Sequence, residues 1–261
     1  METVARGQDQ GEYRDKHAVA CQNTFRRVIR RAEERGMKVN GSKTALICMS
    51  GAQSYEARSH IHTASNERIS SGGSMKVLGF HLSSRPTVHA HVDALCRRMR
   101  GKYWVLYHLK KAGFSAEELC RVYRTCLLPV LDYCCVVYHS LLTDEQDQRI
   151  ERLQSSALRC IFGYEVAYSR MRELASVTTL RQRRIGICDK FAVKCLGNRT
   201  FSDWFPEKKS VWPGQRKKEK YVEEYARCDW LVNLPIFYMR RRLNGKAGKL
   251  YGERNRQYRD T

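Results

Sequence analysis

The chain has 261 residues with a hydrophobic fraction of 42%, enough apolar material for a buried core, which excludes wholesale disorder. Lys and Arg number 48 against 27 Asp and Glu, and the net charge of +21 is spread along the chain. There are 14 basic against 8 acidic groups in residues 1–87, 19 against 11 in 88–200, and 15 against 8 in 201–261. Such a distribution points to a polyanionic partner, not to a basic tail on a neutral domain.

The most apolar stretch, residues 125–143, is interrupted by Pro129, Asp132 and His139 and reads as core, so no membrane partner is expected. None of the 11 cysteines has CxxC spacing. They read as reduced, buried side chains in an intracellular protein, nuclear or cytoplasmic and not secreted.

Residues 1–17 lack periodicity and read as a loose leader. From Ala18 a helix is predicted, with Cys21, Phe25, Val28, Ile29 and Ala32 on one face and Gly36 as its stop. Met37 to Val39 and Thr44 to Met49 read as two short strands around an Asn40-Gly41 turn. At most one strand is expected near Arg58 to Thr63, and Met75 to Leu82 reads as a hairpin.

Beyond Pro86 the pattern is helical. Val88 to Ala112 stacks Val88, Val92, Leu95, Met99 and Leu106 on one stripe, stopping at Gly113. Ser115 with Glu118 and Thr143 with Gln146 form capping boxes, Thr179 with Gln182 opens a further helix, Pro129 ends or kinks its helix, and Gly163 is a stop. After Phe201, aromatic clusters alternate with basic runs: Trp212, Arg216 to Lys218, Trp230 and Arg240 to Arg242. The fold class is α+β: a mixed section over 18–87, a helical bundle over 88–200 and a basic, aromatic extension over 201–261.

Several segments appear in a telling order. They are the amphipathic helix, Val39-Asn40-x-x-Lys43-Thr44, Val77-Leu78-Gly79-Phe80, His91-Val92, Val122-Tyr123 through Pro129 to Tyr133, Arg149 to Gly163 containing Gln154, and Leu234-Pro235-Ile236 with Met239 to Asn244. The series, over residues 18–245, resembles the C-terminal part of reverse transcriptases from non-LTR (LINE-type) retrotransposons. The resemblance implies a palm remnant followed by a thumb. Lys43 would be the proton donor to the departing pyrophosphate, since negative charge builds there as the bond breaks. Leu78 and Gly79 would form a primer-grip hairpin, and the helices from Val88 would hold a template–primer duplex through its phosphates.

Polymerisation in that family uses two magnesium ions held by carboxylates, with two adjacent Asp on a palm hairpin. This sequence has no Asp-Asp pair. The expectation is a truncated reverse transcriptase homologue without the metal-binding pair, with no metal site or cofactor of its own. Its residual role would be binding of an RNA/DNA duplex or other nucleic acid. On the long helix, 100° per residue sets Arg97, Arg100, Trp104 and Lys111 opposite the apolar stripe, as a nucleic-acid-binding face. His60-x-His62 and His89-x-His91 read as surface or strand histidines rather than metal ligands. The alternative is a catalytically inert helical protein-interaction module. The oligomeric state is not legible in the sequence.

Overall fold

The computed structural model describes residues 19–48, 60–63, 65–85, 87–207, 221–222 and 233–245. It is α+β, and the chain divides into two compact units, Met1–Pro86 and Thr87–Thr261.

In the first unit, helix α1 covers 19–33 of the described residues. Gly36, at φ +69°, ends it in a Schellman motif: its N–H donates to the Glu33 carbonyl at 2.9 Å and that of Met37 to Ala32 at 2.9 Å. Of the expected apolar face only Ile29 is buried, whereas Cys21 and Val28 are exposed.

The hairpin expected around Asn40-Gly41 does not form. A two-residue hairpin turn needs positive φ, and Asn40 is extended at φ −89°. Ser42 Oγ instead donates to Asn40 Oδ1 at 2.7 Å and Thr44 Oγ1 to the Asn40 carbonyl at 2.9 Å, closing a 3-10 turn over Gly41–Lys43. Strand β1 (Leu46–Ile47) finds its partner elsewhere, pairing in parallel with β3 (Arg68–Gly72) in the register Leu46↔Ser71. β2 (His60–His62) pairs antiparallel with the other side of β3, with Ile61 opposite Ile69.

Gln22 ties α1 to this sheet as a strand would. It accepts from the His62 N–H at 2.7 Å and donates to the His62 carbonyl at 3.0 Å. The expected hairpin near Met75 is present as β4 (Ser74–Val77) and β5 (Phe80–Ser83), joined by Leu78 and Gly79 at φ +48° and +85°. Two successive left-handed residues make the tight turn whose twist suits antiparallel strands.

In the second unit, α2 (His89–Lys111) buries Val92, Leu95, Met99 and Leu106 against α6 (Asp144–Phe162), which returns Ile150, Leu153, Ala157 and Ile161. Both capping boxes close as their sequences predict, at Ser115/Glu118 for α3 (Ala116–Val122) and Thr143/Gln146 for α6. Gly113 and Gly163, at φ +90° and +92°, stop α2 and α6. After α3 the chain widens into a π-helical turn over Tyr123–Leu127, and α4 (Leu128–Asp132) follows with Pro129 in its first turn. A proline ring in an α-helix meets the carbonyl four residues earlier, and the wider turn opens that space.

The chain continues through α5 (Cys135–Tyr138), α7 (Tyr168–Leu174) and α8 (Leu180–Leu196) to α9 (Pro235–Leu243). The sequence sets 201–261 apart as an extension, yet its described residues share the helical core. Phe205, Tyr221, Tyr238 and Met239 pack with Cys188, Ala192 and Cys195. Asn244 holds the Tyr221 backbone on both sides, accepting from its N–H at 2.9 Å and donating to its carbonyl at 3.0 Å. Among the described residues no helix is long and apolar enough to cross a membrane.

Candidate nucleic-acid interface

Side-chain hydrogen bonds and an ion pair fix α2 on α6 and so determine which of its faces looks outward. Tyr103 donates to the Leu153 carbonyl at 2.9 Å, and burial pushes its hydroxyl pKa well above the ordinary value. Lys110 Nζ donates to the carbonyls of Cys160 and Ile161 at 2.9 and 3.0 Å, satisfying acceptors left open where α6 ends. Arg149 of α6 pairs with Asp93, the only carboxylate of α2, at 2.8 Å. At the start of α2, Gln146 donates to His89 Nδ1 at 2.9 Å.

With the apolar stripe inside, Arg97, Arg100, Trp104 and Lys111 are exposed on the far side of α2. Trp104 keeps 65% of its surface. Among the described residues its ring neighbour is His108, 4.1 Å away between centroids and tilted 49°. The structure adds two residues that reasoning from sequence did not select. Tyr107 stands edge-on to His108 at 5.4 Å, and the Lys111 ammonium lies 5.9 Å from the Tyr107 ring centre. The signal was available: Trp104 to His108 and Tyr107 to Lys111 are i, i+4 pairs, which share a helix face.

Lys43 ends the 3-10 turn of the first unit with its side chain exposed, and among the described residues it has no ion pair. Leu78 is 86% exposed at the tip of the β4–β5 hairpin. Left-handed backbone is unusual for a branched, bulky residue and carries a cost of about 1–2 kcal/mol. These positions belong to the first unit, whereas Arg97, Arg100, Trp104 and Lys111 belong to the second.

Gln154, which the resemblance singles out, is wholly enclosed in hydrogen bonds. Tyr123 Oη donates to Gln154 Oε1 at 2.8 Å, and Gln154 Nε2 donates to Tyr168 Oη at 3.0 Å and to the Thr178 carbonyl at 2.9 Å. Tyr168 in turn donates to Glu151 at 2.6 Å, and the other Glu151 oxygen accepts from the Leu180 N–H at 3.0 Å. The chain Tyr123–Gln154–Tyr168–Glu151 thus joins α6 to the start of α8, a structural task.

A second polar cluster lies inside the helical unit. Arg184, 1% exposed, donates to Asp147 through Nη2 and to His139 Nδ1 at 3.5 Å. With Nδ1 accepting, the neutral imidazole carries its proton on Nε2 and donates to Tyr238 Oη at 3.1 Å. Burial, then the Arg184 charge, lower the His139 pKa to about 3.

The basic run at Arg240 to Arg242 is turned inward. Arg240 and Arg241 are buried, Arg240 donating to the Trp204 carbonyl at 2.6 Å, and Arg242 grips Asp189 at 2.9 and 2.5 Å. The other basic and aromatic positions of the tail, Trp212, Arg216 to Lys218 and Trp230, lie outside the described residues.

Among the described residues no three His, Cys, Asp or Glu side chains gather as a metal ion needs. His60 and His62 meet only as a pair of rings 5.1 Å apart. No family model matches the chain, and no curated protein or solved structure matches it.

Proposed function

We propose that these residues are homologous to the end of the palm and the thumb of a non-LTR retrotransposon reverse transcriptase, and that they bind nucleic acid without polymerising it. The ordered motif series from Val39 to Asn244, the net charge of +21 and the absence of any Asp-Asp pair support this reading. The observation that carries the binding role is the outer face of α2, where Arg97, Arg100 and Lys111 surround an exposed tryptophan. A merely solvated helix face accounts for the cations but not for the indole.

The test is the salt dependence of affinity for a primer–template duplex. Arg97→Ala with Arg100→Ala is expected to weaken binding for all sequences and to flatten the salt slope by about one phosphate contact per arginine. Because both arginines lie off the apolar stripe, helical content should be retained. Parental affinity and slope in the double variant would remove α2 from the interface.

The competing reading, an inert helical protein-interaction module, draws on Val193 and Leu196, exposed one turn apart on α8. Binding through such a patch would be little affected by salt, and the same titration separates the two.

A further inference from the structure

We infer that the outer face of α2 takes unpaired nucleotides, with a base stacked on Trp104 and the flanking phosphates met by Arg97, Arg100 and Lys111. This inference rests on the nucleic-acid reading above and names which form of nucleic acid the face selects.

Paired and unpaired strands offer a protein different surfaces. A duplex presents phosphates on its outside and keeps the faces of its bases covered by their neighbours, so cations suffice to hold it. An unpaired strand also presents base faces, and an exposed aromatic ring is the group that recognises them in any sequence.

Trp104 has such a ring, 65% exposed and supported on one side by His108 at 4.1 Å. Tyr107, 53% exposed, offers a second ring one turn away, steadied by Lys111 at 5.9 Å. The charge on this face is not cancelled from within the helix, since Asp93 is already engaged by Arg149 at 2.8 Å. Lys110 is likewise turned away, onto the end of α6. From Arg97 to Lys111 the face runs about 21 Å, at about 1.5 Å per residue. That is room for a short run of extended nucleotides alternating phosphate on cation with base on ring.

The experiment compares the full chain's affinity for a fluorescent oligothymidylate with that for a blunt duplex of equal phosphate number, for the parent, Trp104→Ala and Trp104→Phe. The parent is expected to prefer the single strand. Trp104→Ala should lose between about fivefold and about 150-fold of the single-strand affinity. Its loss of duplex affinity should be clearly smaller than its loss of single-strand affinity, and Trp104→Phe should recover most of the single-strand loss. Since the indole is exposed, helical content should match the parent's in both variants.

Parental single-strand affinity in Trp104→Ala overturns the inference, and so does a parental preference for the duplex. In both cases the proposed binding role survives if Arg97→Ala with Arg100→Ala still weakens binding. If the parent binds neither ligand, the inference and the proposed function fall together.

Discussion

The hydroxyl of Tyr123 donates to the side-chain oxygen of Gln154 at 2.8 Å, joining residues 31 positions apart in the interior of the helical unit. Each polar atom of the glutamine amide is used, and Tyr168 and the Thr178 carbonyl depend on the same side chain. Gln154→Ala is therefore expected to destabilise the unit by about 2–4 kcal/mol, because it opens a cavity and leaves buried partners unmet. Tyr123→Phe, which removes one hydroxyl, should cost about 1–2 kcal/mol. Urea melts of both variants and the double variant check this: losses that simply add would show that the two side chains do not act together.

His139 gives stability a pH dependence of definite sign. Its folded-state pKa of about 3 lies below the ordinary value of 6.5, so between those values the unfolded chain binds the extra proton. This contribution is fully present above pH 6.5 and is lost as the pH falls toward 3. Burial pushes the Asp147 carboxyl up against the opposing pull of Arg184 and Arg181, which gives that group an acid-side slope of opposite sign. Comparison with a His139 variant cancels the Asp147 term. Melting temperature should fall more steeply from pH 6.5 to 4 in the parent than in His139→Gln, and parallel curves would exclude the assignment.

The tip of the β4–β5 hairpin sets local stability against exposure. Asparagine adopts left-handed backbone readily, and Asn-Gly is the preferred pair for this turn. Leu78→Asn is expected to raise stability by about 1 kcal/mol, read from denaturant melts. If the exposed leucine contacts nucleic acid, affinity should fall in the same variant. A gain in stability with unchanged affinity would limit Leu78 to a tolerated turn residue.

Lys43→Ala should leave nucleic-acid affinity nearly unchanged, since a single exposed lysine contributes little beside a net charge of +21. The chain should also show no primer extension with Mg²⁺ or Mn²⁺, because no adjacent Asp pair exists to hold the ions. Incorporation of labelled nucleotide above a protein-free control would contradict the second expectation, and a several-fold loss of affinity in Lys43→Ala the first.

Local signals were legible in the sequence wherever one residue decides the geometry. Gly36, Gly113 and Gly163 stop their helices with positive φ, and Ser115/Glu118 and Thr143/Gln146 form the capping boxes that their spacing announces. Pairing over distance was not legible. The parallel partnership of β1 with β3 depends on contacts about 25 residues away, which no Asn-Gly dipeptide encodes. Arg184 and Arg240 look like solvated charges in a linear reading, yet both are enclosed by carboxylate, imidazole or carbonyl groups from other elements. On α2 the periodicity placed Trp104 and its cations correctly on the outer face, whereas the roles of Tyr107 and His108 emerge only from ring geometry.

The wide turn at Tyr123–Leu127 ties chain length to the identity of one residue further on. A π-helical turn holds one more residue than an α-helical one, so removing a residue such as Thr125 would restore ordinary pitch while keeping the buried faces on either side in phase. Pro129 would then sit against a carbonyl of the tightened helix, at a cost of about 3 kcal/mol or more. The deletion and the proline are therefore mutually exclusive: a version of this protein one residue shorter at this point is expected to carry something other than proline at the position of Pro129.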